Sequence, residues 1–164
     1  MREWLDFLFP PYGLIEARYI RDSSVKQTYN TNRDILAVDL ANNDADGWDC
    51  YVGVLPRKRT SGRAEDVYPT ATVLWADVDA KDFCEIGADE CNTTECKDKA
   101  LDGVLRFPVT PSAIVDSGHG FHCYWRLIDP VDTSEAVEAN RAIAHWLGGE
   151  IGRASCRERV SSPV

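Results

Sequence analysis

Two short stretches of this chain carry side chains whose types and spacing can do chemistry. In Val73-Leu74-Trp75-Ala76-Asp77-Val78-Asp79, two aspartates stand one residue apart. Side chains on an extended strand alternate faces, so Asp77 and Asp79 project to the same side, about 7 Å apart. Leu74, Ala76 and Val78 turn to the other side and can bury. Two carboxylates this close repel each other unless a cation sits between them. Mg²⁺ or Mn²⁺ meets that need, with hard oxygen ligands and open positions for phosphate oxygens. Asp-x-Asp alone is not specific: it also occurs in glycosyltransferases, nucleases and calcium loops, and as a strand end with two acids facing water.

The second stretch is Asp116-Ser117-Gly118-His119-Gly120-Phe121-His122-Cys123-Tyr124-Trp125. A small, glycine-punctuated turn lets backbone N–H groups approach an anion closely. In the strand after it, Phe121, Cys123, Trp125 and Leu127 share one face and suit a core. His122, Tyr124 and Arg126 share the other. An imidazole that donates through one nitrogen can hold a phosphate oxygen. Asp77, Asp79 and His122 are therefore candidate catalytic residues, and Ser117, Gly118, Gly120, His122 and Arg126 candidate nucleotide-binding residues. The plain alternative for His122 is a strand histidine bonded to a neighbour. His119 sits in the turn, and His145 reads as structural or exposed.

The elements that must position these groups alternate irregularly. The start, Met1–Pro11, reads as an N-terminal helix stopped by its prolines. Strands are expected over Gly13–Ile20, Asp49–Leu55, Ala71–Ala80, Ser112–Asp116 and Phe121–Ile128, with a short helix over Asp34–Asn42. Lys81–Asp98 is polar and acidic and reads as a surface insertion, with a short helix over Asn92–Leu101. Asp132-Thr133-Ser134-Glu135 has the form of a capping box, followed by Ala136, Ala139, Ile143 and Leu147 at helical spacing and a Gly148-Gly149 stop. Strands and helices without regular βαβ alternation imply an α+β fold.

The 164 residues suit one domain with a real core, and the net charge of −9 excludes a binder that works through a broad basic surface. A narrow local groove for template remains open to it. The dense basic stretch is Arg57-Lys58-Arg59-Thr60-Ser61-Gly62-Arg63, whose plain reading is a solvated loop. No apolar run approaches the ~20 residues of a membrane span. No secretory signal is evident, so a cytoplasmic protein with reduced thiols is expected. Cys84, Cys91 and Cys96 do not have common zinc spacing. The decapeptide Ile151–Val160 is what a common sequencing adapter encodes when read through. Residues 151–164 are therefore expected to be a non-native tail, and 1–150 a domain incomplete at its C-terminus.

The combination of the Gly13 strand, the Tyr51–Arg57 segment, the Trp75–Asp79 motif and the Ser117–Trp125 motif resembles the archaeo-eukaryotic primase superfamily. The likeness is to the primase-polymerase domains of phage and plasmid replication proteins, and it runs from about Gly13 to Glu150. It implies an RNA-recognition-motif-like catalytic core joined to an N-terminal αβ unit. It also implies that Asp77 and Asp79 bind the catalytic Mg²⁺ or Mn²⁺ ions and that Gly120-Phe121-His122 contacts nucleotide phosphate. Nucleotidyl transfer from NTP or dNTP on a single-stranded DNA template would follow, by a two-metal mechanism. Arg57, Lys58 and Arg59 would track template, Glu150 would complete the metal site, and a helicase domain would accompany it in the complete protein. A non-catalytic nucleic-acid-binding initiator domain of the same fold is the alternative. A rolling-circle endonuclease is disfavoured by the spacing of His119, His122 and Tyr124. A glycosyltransferase leaves Ser117–His122 unexplained.

Overall fold

The computed structural model of the protein describes residues 1–84 and 94–147, and the backbone of 157–160. It forms two compact units, one of residues 1–72 with the strand at 157–160, the other of residues 73–154. Among the described residues, no helix is long and apolar enough to cross a membrane.

In the first unit, α1 (Arg2–Leu8) and α2 (Arg33–Ala45) pack with a sheet of order β2-β1-β3-β7. Its strands are β1 (Ile15–Arg21), β2 (Ser24–Asn30), β3 (Asp49–Gly53) and β7 (Arg157–Val160), and each pairing is antiparallel. Ala17 stands opposite Val52 and Tyr19 opposite Cys50, so these four share one face of the sheet. All four are buried, as are Leu5, Leu8, Leu36 and Leu40 of the helices. The Tyr19 hydroxyl donates to Asp39 of α2, which satisfies the one polar atom the ring takes into this core. Burial, with Asp39 adding to it, pushes the Tyr19 phenol well above its ordinary range. Asn32 caps α2, its side-chain oxygen accepting from Asp34 N at 2.9 Å and Ile35 N at 3.2 Å.

The second unit runs β4 (Thr70–Asp79), a 3-10 turn (Ala80–Phe83), α3 (Thr94–Leu105), β5 (Ala113–Asp116), β6 (Gly120–Asp132) and α4 (Thr133–Trp146). The sheet order is β4-β6-β5, with β5 and β6 antiparallel. This order follows the first five elements of the β-α-β-β-α-β plan, with the third strand in the middle. Ala76 and Val78 of β4, Phe121, Cys123 and Trp125 of β6, Ala100 and Val104 of α3, and Ile143 and Leu147 of α4 form one core. The α+β architecture is observed, and the expected alternation only in part: Leu74 and Leu127 are half-buried, while Ala71, Val73 and Trp75 of β4 and Tyr124 of β6 are buried on the other face, so the sheet is not covered on one side alone.

Four local expectations change. β2 is a strand that no apolar alternation announces: its Ser24–Thr28 stretch is exposed, and its pairing with β1 holds it. The helix expected over Asn92–Leu101 is described from Thr94 and runs on to Leu105. Asp132 stands at the N-cap of α4 but makes no side-chain capping bond. The buried stripe of α4 passes through Asn140 rather than Ala139, because Asn140 Oδ1 accepts the Trp75 backbone N–H at 3.0 Å. That contact bonds the backbone of the motif strand to the helix behind it.

Candidate active site

Asp77 and Asp79 lie at the end of β4 on the face opposite the helices. The Asp77 side chain is 77% exposed and stands with Oδ1 3.6 Å from Nε2 of His122, a sheltered side chain on β6. The structure therefore brings together the first aspartate and the histidine of the two motifs. Asp79 is half-buried and doubly engaged by Lys81. Its Oδ1 accepts the Lys81 backbone N–H at 3.2 Å, and its Oδ2 pairs with the Lys81 ammonium at 2.7 Å. The bond to Asp79, with its charge, holds the Lys81 ammonium above the ordinary lysine range.

Gly120 fixes how closely β6 enters beside β4. A Cβ there would collide with the carbonyl oxygen of Val78, and would stand 3.0 Å from Ala80 N and from Asp79 Cα. No side chain fits, so the small residue two positions before the histidine is a steric requirement of the site. The His119 carbonyl accepts from Ala80 N at 2.9 Å, which ties the turn to the end of the acid strand. Gly118 has φ +89°, a conformation natural to glycine, with open space around the missing Cβ.

Within the turn, Gly118 N donates to Asp116 Oδ1 at 2.8 Å and Ser117 N donates to the Gly120 carbonyl at 3.0 Å. Ser117 and Gly118 thus do not present these N–H groups to an anion, as the glycine-rich spacing suggested. Their donors are occupied inside the turn, which joins β5 to β6 just before His122. Asp116 also receives the Lys97 ammonium of α3, which lies 2.7 Å from both carboxylate oxygens. Lys97 and the Gly118 N–H together hold the Asp116 carboxyl below its ordinary range. The Lys97 ammonium sits 5.7 Å from the centroid of the Phe121 ring. Neither Lys81 nor Lys97 stood out in the sequence, because a lysine beside an acid is commonplace until the fold shows which acid it meets.

Tyr124, between His122 and Arg126 on the same face, is fully buried, and Arg126 is exposed. On the opposite face, burial pushes the Cys123 thiol up to about 12, with Asp77's charge acting the same way. Cys84 and Cys96 are joined as a disulfide with Cα atoms 5.5 Å apart, which corrects the expectation of reduced thiols there. The 3-10 turn and α3 pack against each other and bring the two sulfurs together. Cys91 and Glu150 lie outside the described residues.

The basic stretch of the first unit is not uniformly solvated. Arg57 is 4% exposed, and its guanidinium lies 2.6 Å from Oε2 of the equally buried Glu16 and donates to the Arg63 carbonyl at 2.8 Å. Its assignment to template is corrected: an arginine committed to a buried carboxylate is a structural cation. Lys58 and Arg59 are exposed, with Lys58 Nζ 3.5 Å from the Glu65 carbonyl and Arg59 3.9 Å from Asp66.

No family model matches the sequence, and no curated protein sequence matches it. Among solved structures, the primase-polymerase domain of cyanophage S-2L, described as an archaeo-eukaryotic primase domain, superposes with a TM-score of 0.66. The match covers 97% of this chain and 78% of that one at 14% identity. The chain has the primase-polymerase fold. At that identity the likeness concerns the fold, and the chemistry must be argued from the residues of the second unit. Two same-face carboxylates suit a hard divalent cation and offer part of a coordination shell. Among the described residues, no group of three His, Cys, Asp or Glu side chains is arranged to hold a metal ion.

Proposed function

We propose that this chain is the catalytic domain of a template-directed nucleotidyltransferase, a DNA primase-polymerase that uses NTP or dNTP on single-stranded DNA. The observation that carries the proposal is the placement of His122 Nε2 3.6 Å from Asp77 Oδ1, beside the Gly120 crossing, in a domain of primase-polymerase fold. That fold's cyanophage example is named for priming and polymerising, which supports the same reading of this chain.

In this reading Asp77 and Asp79 hold Mg²⁺ or Mn²⁺. His122 donates to a phosphate oxygen of the incoming nucleotide and orients it, and exposed Arg126 adds a second cationic contact from the same strand face. The 3′-hydroxyl oxygen of a primer forms a bond to the α-phosphorus while the bond to the β-phosphate oxygen breaks. Pyrophosphate leaves, and the hydroxyl proton passes to solvent. When bound, the divalent cation supplies positive charge to the triphosphate and to the developing alkoxide. Lys58 and Arg59 offer sequence-independent contacts to a phosphate backbone.

Calorimetric titration with dNTP and NTP in Mn²⁺ tests the proposal, with Asp77→Ala/Asp79→Ala as the control. Saturable binding that needs both the metal and the two aspartates is expected. Nucleic-acid binding that needs neither would instead identify a non-catalytic initiator domain.

A further inference from the structure

We propose that Lys81 couples metal loading to nucleotide binding: its ammonium holds Asp79 when the site is empty and turns to the triphosphate when metal and nucleotide arrive together. The inference rests on the metal-binding reading of Asp77 and Asp79.

The geometry supplies the argument. One residue occupies both oxygens of Asp79, the backbone N–H of Lys81 on Oδ1 at 3.2 Å and its ammonium on Oδ2 at 2.7 Å. The ammonium is the cation already seated at the carboxylate where a divalent ion would bind. A divalent ion that takes Oδ2 as a ligand competes with Nζ for the same lone pairs, and the two positive charges repel. A metal arriving alone must displace the ammonium with nothing to receive it. A metal–triphosphate complex brings an anion that can accept the displaced charge. Lys81 is over half exposed on a flexible stem, so it is free to turn. The linkage is reciprocal: whatever nucleotide adds to metal affinity, metal adds to nucleotide affinity.

Lys81→Met removes the ammonium and keeps the backbone N–H that donates to Asp79. Lys81→Arg keeps the charge. Lys99→Met, at a lysine of α3 paired with Glu95 at 3.0 Å, controls for loss of one positive charge in the same unit. Mn²⁺ binding is followed by the electron paramagnetic resonance of the free ion, with and without dNTP, and dNTP binding by calorimetry at saturating Mn²⁺. Lys81→Met is expected to bind Mn²⁺ alone about threefold or more tighter than wild type, and dNTP about fivefold more weakly. Lys81→Arg and Lys99→Met are expected to stay near wild type in both. If wild type binds Mn²⁺ and Lys81→Met changes neither affinity, or changes only one, the coupling is overturned while the metal site stands. If wild type binds no Mn²⁺ even with dNTP, the nucleotidyltransferase reading falls and the coupling with it.

Discussion

His122 Nε2 stands 3.6 Å from Asp77 Oδ1, the imidazole sheltered and the carboxylate 77% exposed. The two occupy neighbouring strands, β4 and β6, so the sheet itself sets their separation. In the proposed function the pair divides two tasks across one gap, with a metal ligand on one strand and a phosphate donor on the other. His122→Asn should therefore weaken dNTP binding by about tenfold or more, the worth of a hydrogen bond to a charged group. Mn²⁺ binding without nucleotide should be nearly unchanged in that variant. Calorimetry with each ligand in turn reads both, and equal loss of the two would show that the histidine acts on the metal side instead.

Gly120→Ala tests the crossing that brings the strands together. Its methyl group would collide with the Val78 carbonyl oxygen, a backbone atom that cannot turn aside. The expected cost is about 1–3 kcal/mol, as for other overpacked sites. Gly118→Ala, where φ is +89° but space is open, should cost only about 1 kcal/mol of backbone strain. Denaturant unfolding of both variants separates the two effects, and the larger loss belongs to Gly120.

The pattern of what the sequence showed follows from physics. The core face of Ala76 and Val78 on β4 and of Phe121, Cys123 and Trp125 on β6 was legible because it packs against helices, whereas the burial of Val73, Trp75 and Tyr124 on the other face was not, since a strand buried on both sides loses its alternation. β2 was not legible, because a mostly exposed strand held by its neighbour's backbone needs no apolar pattern. The aspartates and His122 could be placed on their strand faces, but their 3.6 Å approach depends on register between β4 and β6, which no local pattern encodes. Asn140 is not legible as a core residue, because a polar residue on a helix reads as surface until its bond to the Trp75 N–H is seen. Arg57 stood in a basic run, and a run of charge hides the one member that turns inward. Its partner Glu16 is buried on β1, which only the structure shows.

The Glu16–Arg57 pair gives a prediction for the first unit. The side chains are 1% and 5% exposed, so removing Arg57 leaves buried Glu16 with only Arg18, 3.7 Å away, to offset its charge. Arg57→Met should cost about 3–5 kcal/mol of stability. Glu16→Gln combined with Arg57→Met should recover part of that loss, since both charges of the deeply buried pair are then gone and Arg18, which also faces Glu16, is partly exposed. Lys58→Ala and Arg59→Ala should leave stability within about 0.5 kcal/mol, as expected of exposed positions. Thermal and denaturant melts of the four variants decide the matter, and an Arg57→Met protein as stable as wild type would refute the structural role.

Asp116 predicts an acid limb for the second unit. Its carboxyl is held below the ordinary 3.8, first by Lys97 and then by the Gly118 N–H. A carboxyl whose folded value is depressed contributes stability that is complete above its unfolded value and is lost as pH falls through the folded one. Wild type should thus exceed Asp116→Asn in stability at neutral pH, and the gap should close as pH drops below about 4. The side chain is 57% exposed, so solvent screening keeps the gap small. Because the same carboxylate bonds the turn just before His122, Asp116→Asn should also weaken dNTP binding at neutral pH while leaving Mn²⁺ binding intact. Unfolding curves from pH 3 to 7 for both proteins give the first outcome and calorimetry the second. A stability gap that stays constant across that range would show that Lys97 and Gly118 do not hold the charged form.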